Sequence, residues 1–161
     1  MGARVTVSTE ALTGGLDALQ KRLRLLRARH AYVKAGVLGK APVRTEGGIT
    51  NAQLASVHEY GTSKVPARPF IAPPFHANRE SYMQILQAGY RAAVTKDDPA
   101  VFVKMLRLLG MKIVADIRKH VTAGPPIPPP LSPKTIARKG SSRPLVDTGQ
   151  MIRSIDYEVV E

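Results

Sequence analysis

The sequence predicts a single α+β domain in which a small antiparallel or mixed sheet packs against two long helices. Three short segments, near Val5, Val37 and Tyr157, alternate apolar and polar residues as half-buried strands do. Elsewhere, leucine and isoleucine recur at the spacing of helices that have one buried face. With 161 residues the chain is long enough for one core, so residues 1–161 are expected to form one domain.

The N-terminal part of the chain is predicted to form a strand, a helix, a second strand and a loop. The strand alternation covers Arg4 to Ser8 and Tyr32 to Leu38, with a helix from about Thr9 to Arg29 between them. Glycine and proline predict a loop over Lys40 to Gly48. On the helix, one stripe of leucines predicts a face buried in the core: Leu12, Leu16, Leu19, Leu23 and Leu26.

A short capped helix and an extended segment are predicted next. Thr50 is a suitable N-cap for a helix over Asn51 to Tyr60, and Gly61 provides the residue with positive φ that ends many helices. Prolines favour an extended conformation from Thr62 to Pro74. A helix from about Phe75 to Val94 should follow.

The longest helix is predicted to start at Pro99 and to reach Val121. Asp97 and Asp98 precede Pro99, and an acidic N-cap before a first-turn proline favours a helix start. Apolar residues at helical spacing predict its buried face: Phe102, Leu106, Leu109, Ile113 and Ile117.

The C-terminal part begins with an extended arm. Six of the thirteen prolines lie between Ala123 and Pro133 and favour polyproline II. With the basic loop that follows, residues 123–146 form an extended Pro-rich and basic arm, which contains a short helix from Ser132-Pro133 to about Lys139. A free arm of this composition is ordinarily disordered, so we expect it to be ordered by contacts within an assembly.

The end of the chain is predicted to form a last short helix and a strand. Asp147 is a suitable cap for a helix over Thr148 to Ser154. The alternation over Ile155 to Val159 then predicts the strand that completes the sheet.

The charge of the chain favours anionic partners. Its 24 basic and 12 acidic residues give a formal net charge of +12, which attracts polyanions such as nucleic acid without conferring sequence specificity. No apolar run approaches the roughly 20 residues that a membrane-spanning helix needs. Cysteine is absent, which excludes disulfides and thiolate metal sites.

No catalytic, cofactor or metal site is predicted. The four histidines lack the spacing of zinc ligands, and no glycine-rich loop carries the lysine of a phosphate-binding motif. The carboxylates are scattered rather than paired for acid–base work. His120 lies on the apolar face of the longest helix, where a core or capping role is expected. The sequence therefore favours a structural or binding protein over an enzyme.

Two segments resemble a known family when they are taken together. Val57-His58-Glu59-Tyr60-Gly61-Thr62 and Val65-Pro66-Ala67-Arg68-Pro69-Phe70 resemble an E-[YF]-G … I-P-A-R-P-F signature. Pro144-Leu145-Val146-Asp147-Thr148-Gly149, continuing to Ile155, resembles a P-L-x-D-T-G-x-L-x-x-S-I signature. Both occur in the virion-morphogenesis, or tail-completion, family of tailed bacteriophages. The resemblance covers the chain from about residue 30 onward.

The resemblance implies a structural virion protein that completes the upper end of the tail and forms part of the head–tail neck ring through which DNA passes. It implies a homo-oligomer, a hexameric ring, in contact with the head-completion or stopper protein, the tail terminator and the tape measure. Such a protein is made in the cytoplasm of the host bacterium, carries no cofactor and ends in the virion. Two alternatives stay open: a tail terminator that caps the tail tube, and a free, non-specific DNA-binding protein.

Three sets of residues are candidates for a role in this assembly. One set is the single residue Asp147, which is predicted to cap a helix. Inter-subunit contacts are predicted at Arg68, Pro69, Phe70, Pro128, Pro129 and Pro130. For Arg68 and Phe70, the alternative is that they hold their loop on their own core. DNA-channel contacts are predicted at Lys21, Arg22, Arg24, Arg27, Lys134, Arg138, Lys139 and Arg143. A solvated basic face is the alternative for the first four of these.

Overall fold

A computed structural model of the chain describes residues 13–17, 19–20, 23, 30–39, 48–146 and 149–161. The strand predicted over Arg4 to Ser8 and most of the loop predicted over Lys40 to Gly48 lie outside these residues. Within them the protein is an α+β structure, as predicted from the sequence.

Helices dominate the chain and the two strands lie far apart in sequence. The helical residues 13–17, 19, 20 and 23 are called α1. The elements that follow are β1 (Tyr32–Val37), α2 (Asn51–Tyr60), α3 (Ala72–Ala77), α4 (Arg79–Lys96), α5 (Pro99–Ala123), α6 (Pro133–Lys139), α7 (Gln150–Arg153) and β2 (Ile155–Val160).

The two strands form an antiparallel pair, in which Tyr32 lies opposite Val160 and Val37 lies opposite Ile155. The pair packs on one side of α5, and α4 packs on α5 as well. Both contacts depend on glycine, because a Cβ at Gly110 would lie 2.2 Å from the Tyr157 ring and one at Gly89 would lie 2.6 Å from Met105 Cβ. The long central helix α5 thus organises the fold.

The core lies around α5 and is mostly aliphatic, with the aromatic residues Phe70, Tyr82 and Phe102 also buried in it. The predicted buried face of this helix is confirmed, since Phe102, Leu106, Leu109, Ile113 and Ile117 are all buried. Tyr82 of α4 is also buried and donates a hydrogen bond from its hydroxyl to Asp116 Oδ2 at 2.7 Å. Burial, together with this bond and the charge of the carboxylate, raises the pKa of Tyr82 well above its usual value. Its phenol is therefore a neutral donor.

The predicted caps of α2, α5 and α6 are confirmed, whereas α7 begins at Gln150 with Gly149 as its N-cap and not at Thr148, as the assignment of Asp147 as a cap had predicted. Thr50 Oγ1 accepts a hydrogen bond from the Gln53 backbone, and the Gln53 side chain accepts one from the Thr50 backbone, which completes a capping box. Asp98 Oδ1 accepts from Ala100 N at 2.9 Å, and Ser132 Oγ accepts from Thr135 N. These local bonds satisfy amides that lack a partner in the first turn of a helix.

The prediction that the leucine stripe of α1 is buried in the core is wrong for the three leucines that the structure describes. Leu16, Leu19 and Leu23 are 58%, 54% and 50% exposed. Periodicity shows that these leucines share one face of a helix, but it does not show what covers that face. Leu12 and Leu26 lie outside the described residues.

The extended conformation predicted up to Pro74 and the single helix from Phe75 also need correction. Residues 72–77 form the separate short helix α3, with Pro73 and Pro74 in its first turn, and α4 begins after Asn78. Proline is tolerated in a first turn because the amide it lacks would have no helical partner there. The two prolines therefore start a helix here rather than prevent one.

Among the residues that the structure describes, no helix is both long enough and apolar enough to cross a membrane.

Candidate functional site

Glu59, near the C-terminal end of α2, organises the segment that leads into α3. Its Oε2 accepts hydrogen bonds from the backbone of Phe70 at 2.8 Å and of Ile71 at 3.0 Å, and its Oε1 accepts one from Ala72 N at 2.9 Å. The carboxylate is buried, so these three bonds replace its hydration. A negative charge at this position also stabilises α3, because it lies near the positive end of the helix dipole.

Gly61 provides the turn between Glu59 and the extended segment. Its φ is 75°, and a Cβ there would lie 2.8 Å from Ala67 N. A side chain at this position would therefore be both strained and obstructed. The turn brings Arg68 N within 2.6 Å of the His58 carbonyl oxygen, which fixes the extended segment alongside α2.

Arg68 connects this segment to the Pro-rich arm. Its Nε donates to the Pro129 carbonyl oxygen at 2.8 Å, and one terminal guanidinium nitrogen donates to that of Pro130 at 3.3 Å. Proline carbonyls in an extended arm have no partner in a helix or sheet, so a guanidinium is a suitable donor for them. Arg68 is 9% exposed and Phe70 is fully buried.

A second arginine holds the start of the arm. Arg143 Nε donates to the Val121 carbonyl oxygen at 2.8 Å, and a terminal nitrogen donates to that of Gly124 at 2.6 Å, at the end of α5. Ile127 is buried in the core between these two anchors. The arm is therefore held by its own chain, which corrects the expectation that only an assembly orders it.

His120 lies close to these anchors, on the last turns of α5. Burial lowers the pKa of His120, and the positive charge of Arg143 lowers it further, against an opposing effect of Glu59. Its imidazole is thus favoured in the neutral form. This is consistent with the structural role expected from its place on the apolar face.

The two signature-like segments meet at one open pocket, called here the motif pocket. Lys64, Val65, Pro66 and Arg68 line one side of it, and the arm with α6 and the start of α7 lines the other side. The pocket has a volume of about 840 Å³. Leu145, from the second segment, also lines it and adopts a φ of 66°, which is uncommon for a residue other than glycine.

The described lining of the motif pocket carries positive charge. Lys64 and Arg138 are exposed at its edge, Lys139 is half-buried, and none of the described lining residues is acidic. Such a surface attracts phosphate or carboxylate groups. Among the described residues, no group of three or more His, Asp or Glu side chains is arranged to hold a metal ion.

The predicted inter-subunit residues have two different environments. Arg68 and Phe70 face the interior of their own subunit, which is the geometry of the loop-anchoring alternative. Pro69 is half-buried, whereas Pro128, Pro129 and Pro130 are exposed. The bond between Pro128 and Pro129 is cis. Only the arm prolines of this set thus present a surface to a neighbour.

The predicted DNA-contact residues also fall into two groups, exposed cations and cations that bond to the backbone. Lys134 and Arg138 are exposed on α6, but Lys139 donates to the Arg143 carbonyl oxygen at 3.1 Å and Arg143 anchors the arm. Arg143 is therefore a structural residue, because its guanidinium is committed to two backbone oxygens. The remaining candidates lie outside the described residues, as does the proposed cap: Lys21, Arg22, Arg24, Arg27 and Asp147.

The anchoring role of Glu59 was not predicted from the sequence. The available signal was a carboxylate at a helix end, shortly before a segment in which prolines leave few backbone donors. The role of Arg68 toward Pro129 and Pro130 depends on a contact between distant parts of the chain. A single sequence carries no signal for that pairing.

Loss of the Arg68 guanidinium should release the arm. We expect Arg68→Met, which keeps much of the apolar stem, to increase protease cleavage between residues 124 and 131 at least tenfold in the isolated protein. Two part-buried hydrogen bonds from the guanidinium to the Pro129 and Pro130 carbonyl oxygens would be lost, at a cost of about 2–3 kcal/mol. Limited proteolysis with mass spectrometry measures this, and Arg138→Met, on exposed α6, is the matched control. Equal cleavage of both variants would show that Arg68 does not hold the arm.

Comparison with known proteins does not identify a family. No family model matches the chain, and neither a curated protein nor a solved structure matches it significantly.

Proposed function

We propose that this protein is a structural subunit of a tailed-bacteriophage virion, where it completes the upper end of the tail at the head–tail junction. The observation that supports this most is the convergence of the two signature-like segments. They are more than sixty residues apart in sequence, yet they line the same pocket and are joined through Arg68 and the arm. Both segments therefore serve one structural unit, as a shared family signature would require.

Four residues of the first signature have structural roles in this unit. Glu59 caps α3, Gly61 makes the turn, and Arg68 and Phe70 fix the extended segment on the core. A frame of this kind positions an exposed arm and an exposed basic helix rigidly. Rigid presentation favours assembly, because less entropy is lost when a partner binds.

The charge of the chain fits a DNA conduit. A ring of such subunits, hexameric by the resemblance, would multiply the net charge of +12 around a channel and produce a strong local field. Lys134 and Arg138 are exposed and could reach phosphates without reading bases. Lys21, Arg22, Arg24 and Arg27 stay candidates for the same surface. The other partners would be the neighbouring neck and tail proteins, including the stopper, the tail terminator and the tape measure.

Deletion of the gene from its phage tests the proposed role directly. We expect electron micrographs of the lysate to show DNA-filled heads beside complete but unattached tails, with attachment restored when the protein is supplied from a plasmid. Tails of uncontrolled length would instead indicate the tail terminator. Attached, infectious particles without the protein would rule out a neck function, and the positive charge would then point to free DNA binding.

Phosphate contact by α6 predicts a defined change in salt dependence. We expect Lys134→Gln with Arg138→Gln to reduce the slope of log affinity for duplex DNA against log salt by about 2, since each lost phosphate contact removes about 0.9. Fluorescence anisotropy across salt concentrations measures this slope, with Lys104→Gln and Lys119→Gln, exposed on α5, as the charge-matched control. A slope that changes equally in both variants would mean that α6 is not the contact surface.

A further inference from the structure

The start of the Pro-rich arm is tied to the last turn of α5 by Arg143. Its guanidinium donates to the Val121 carbonyl oxygen at 2.8 Å and to that of Gly124 at 2.6 Å. The arm leaves the helix in a tight turn, since Gly124 N donates to the Lys119 carbonyl oxygen and a Cβ on Gly124 would lie 2.5 Å from the His120 carbonyl oxygen. Arg143 therefore both caps the negative end of the helix and holds the arm against it.

His120 belongs to this same turn, one residue before the Val121 carbonyl that Arg143 binds. The end of a helix ordinarily favours a protonated histidine, because the dipole is negative there. Here the guanidinium of Arg143 already supplies the positive charge. Burial and this neighbouring charge both lower the pKa of His120, against an opposing effect of Glu59. The neutral ring is therefore compatible with the bonds of Arg143, whereas a protonated ring would place a second cation beside them.

The charges around this turn do not offset a further positive charge. One carboxylate and four cations belong to the end of α5 and the segments beside it: Glu59 of α2, Arg118 and Lys119 of α5, Lys139 of α6, and Arg143 of the loop that follows. Glu59 already accepts three backbone hydrogen bonds. The arm itself has no charged side chain from Gly124 to Leu131. Protonation of His120 is therefore opposed by a surplus of positive charge.

We propose that His120 is an acid-sensitive latch, and that its protonation releases residues 124–127 of the arm from Arg143. Since the pKa of His120 is lowered in the folded protein, the latch is fully closed above the usual histidine value of 6.5 and opens as the pH falls through the lowered value. Arg68 still binds the carbonyl oxygens of Pro129 and Pro130, so only the start of the arm opens, and Ile127 leaves the core. The latch is a property of the isolated subunit and is independent of the neck function.

A nitroxide spin label at Pro126→Cys reports the mobility of the arm start without background, since the chain has no cysteine and Pro126 is exposed. We expect the mobile fraction in the electron paramagnetic resonance spectrum to rise about threefold from about pH 8 to about pH 5, the range in which histidine titrates. The effect stays at a few-fold because solvent partly screens a half-buried ring. The control is the same label at Pro130→Cys, beside the Arg68 anchor, which should change little. An equal response of both labels would indicate general loosening and would overturn the proposal.

A neutral replacement of the ring identifies the group that titrates. His120→Gln keeps a polar side chain that takes up no proton, so we expect the Pro126 label to stay immobile over the whole pH range in this variant. His76→Gln removes an exposed histidine on α3 and should leave the response of the parent unchanged. A pH response that persists in His120→Gln, or a label that is mobile at every pH in it, would overturn the latch.

NMR titration of the histidine rings gives a readout that a purely structural role would not change. We expect the midpoint of the mobility change to coincide with the titration of His120. Arg143→Met should raise the pKa of His120, because the coupling between the two groups is reciprocal, and should leave the label mobile at every pH. A midpoint that does not follow His120, or a pKa that Arg143→Met does not change, would overturn the latch. Either result would leave the neck function standing, since gene deletion tests that separately.

Discussion

Replacing Glu59 by alanine should lower the free energy of unfolding by about 4 kcal/mol, because three backbone amides would lose a charged acceptor in a buried position. For a chain of this size, that loss corresponds to a melting temperature about 10 °C lower. Glu59→Gln should have roughly half the effect, about 2 kcal/mol, since the amide keeps one acceptor oxygen for the same site. Urea unfolding followed by circular dichroism measures all three proteins.

The matched control is Glu80→Ala. Glu80 is exposed in the first turn of α4, so its removal deletes the same charge near a helix N-terminus without exposing buried amides. We expect a change within about 1 kcal/mol for this variant. If Glu59→Ala were no more destabilising than Glu80→Ala, the carboxylate of Glu59 would not be what holds the extended segment.

Replacing Phe70 by alanine should be comparably severe, with a loss of about 4 kcal/mol, because the ring is fully buried and its removal leaves a cavity. Phe70 packs in the main cluster of buried side chains, with Ile113 and Ile117 of α5 among its members. The variant should unfold at markedly lower denaturant and should bind apolar dyes more readily before it unfolds. Equilibrium unfolding in urea measures the first effect.

Phe75→Ala provides the contrast, since Phe75 is 43% exposed. We expect it to cost about 2 kcal/mol in the monomer, roughly half of the loss at Phe70, because the ring is only partly buried and its removal leaves no enclosed cavity. Equal destabilisation by the two substitutions would mean that the environments assigned to these phenylalanines are wrong.

The elements that follow from local chemistry could be predicted from the sequence. The helices α2, α5 and α6 start where Thr50, Asp98 and Ser132 can cap them, and each cap depends only on residues within the next turn. The strands β1 and β2 were also predicted, because alternation between two faces is a local pattern.

Features that depend on distant residues could not be predicted. The leucine spacing of α1 is the same whether the core or a partner covers it, so its exposure is invisible in the sequence. The first amide of α3, at Ala72, is accepted by Glu59, thirteen residues earlier, while two prolines occupy the rest of its first turn. Arg68 likewise meets carbonyls some sixty residues away.

The sequence therefore predicted which segments form the candidate site, but it did not predict the contacts between them. Its signature-like segments were noted in the sequence, where Arg68 was a candidate for either an inter-subunit or a loop-anchoring contact and Arg143 a candidate for DNA contact. The structural role of Arg143 was not predicted, because the sequence does not distinguish an arginine that binds backbone oxygen from one that faces solvent. Burial and hydrogen-bond partners distinguish the two, and both depend on the folded chain.

The pairing of β1 with β2 has a consequence for how the chain folds. Tyr32 meets Val160, so among the described residues β1 has no strand partner until almost all of this part of the chain has been synthesised. Closing so long a segment costs entropy before any strand pairing offsets it, and contacts of this kind slow folding. The helices α4 and α5, joined by a short turn at Asp97 and Asp98, can pair much earlier on the ribosome. During translation the nascent helical pair would expose the surface of α5 around Gly110 that Tyr157 later covers, so this apolar surface would be open to misassociation until β2 is made.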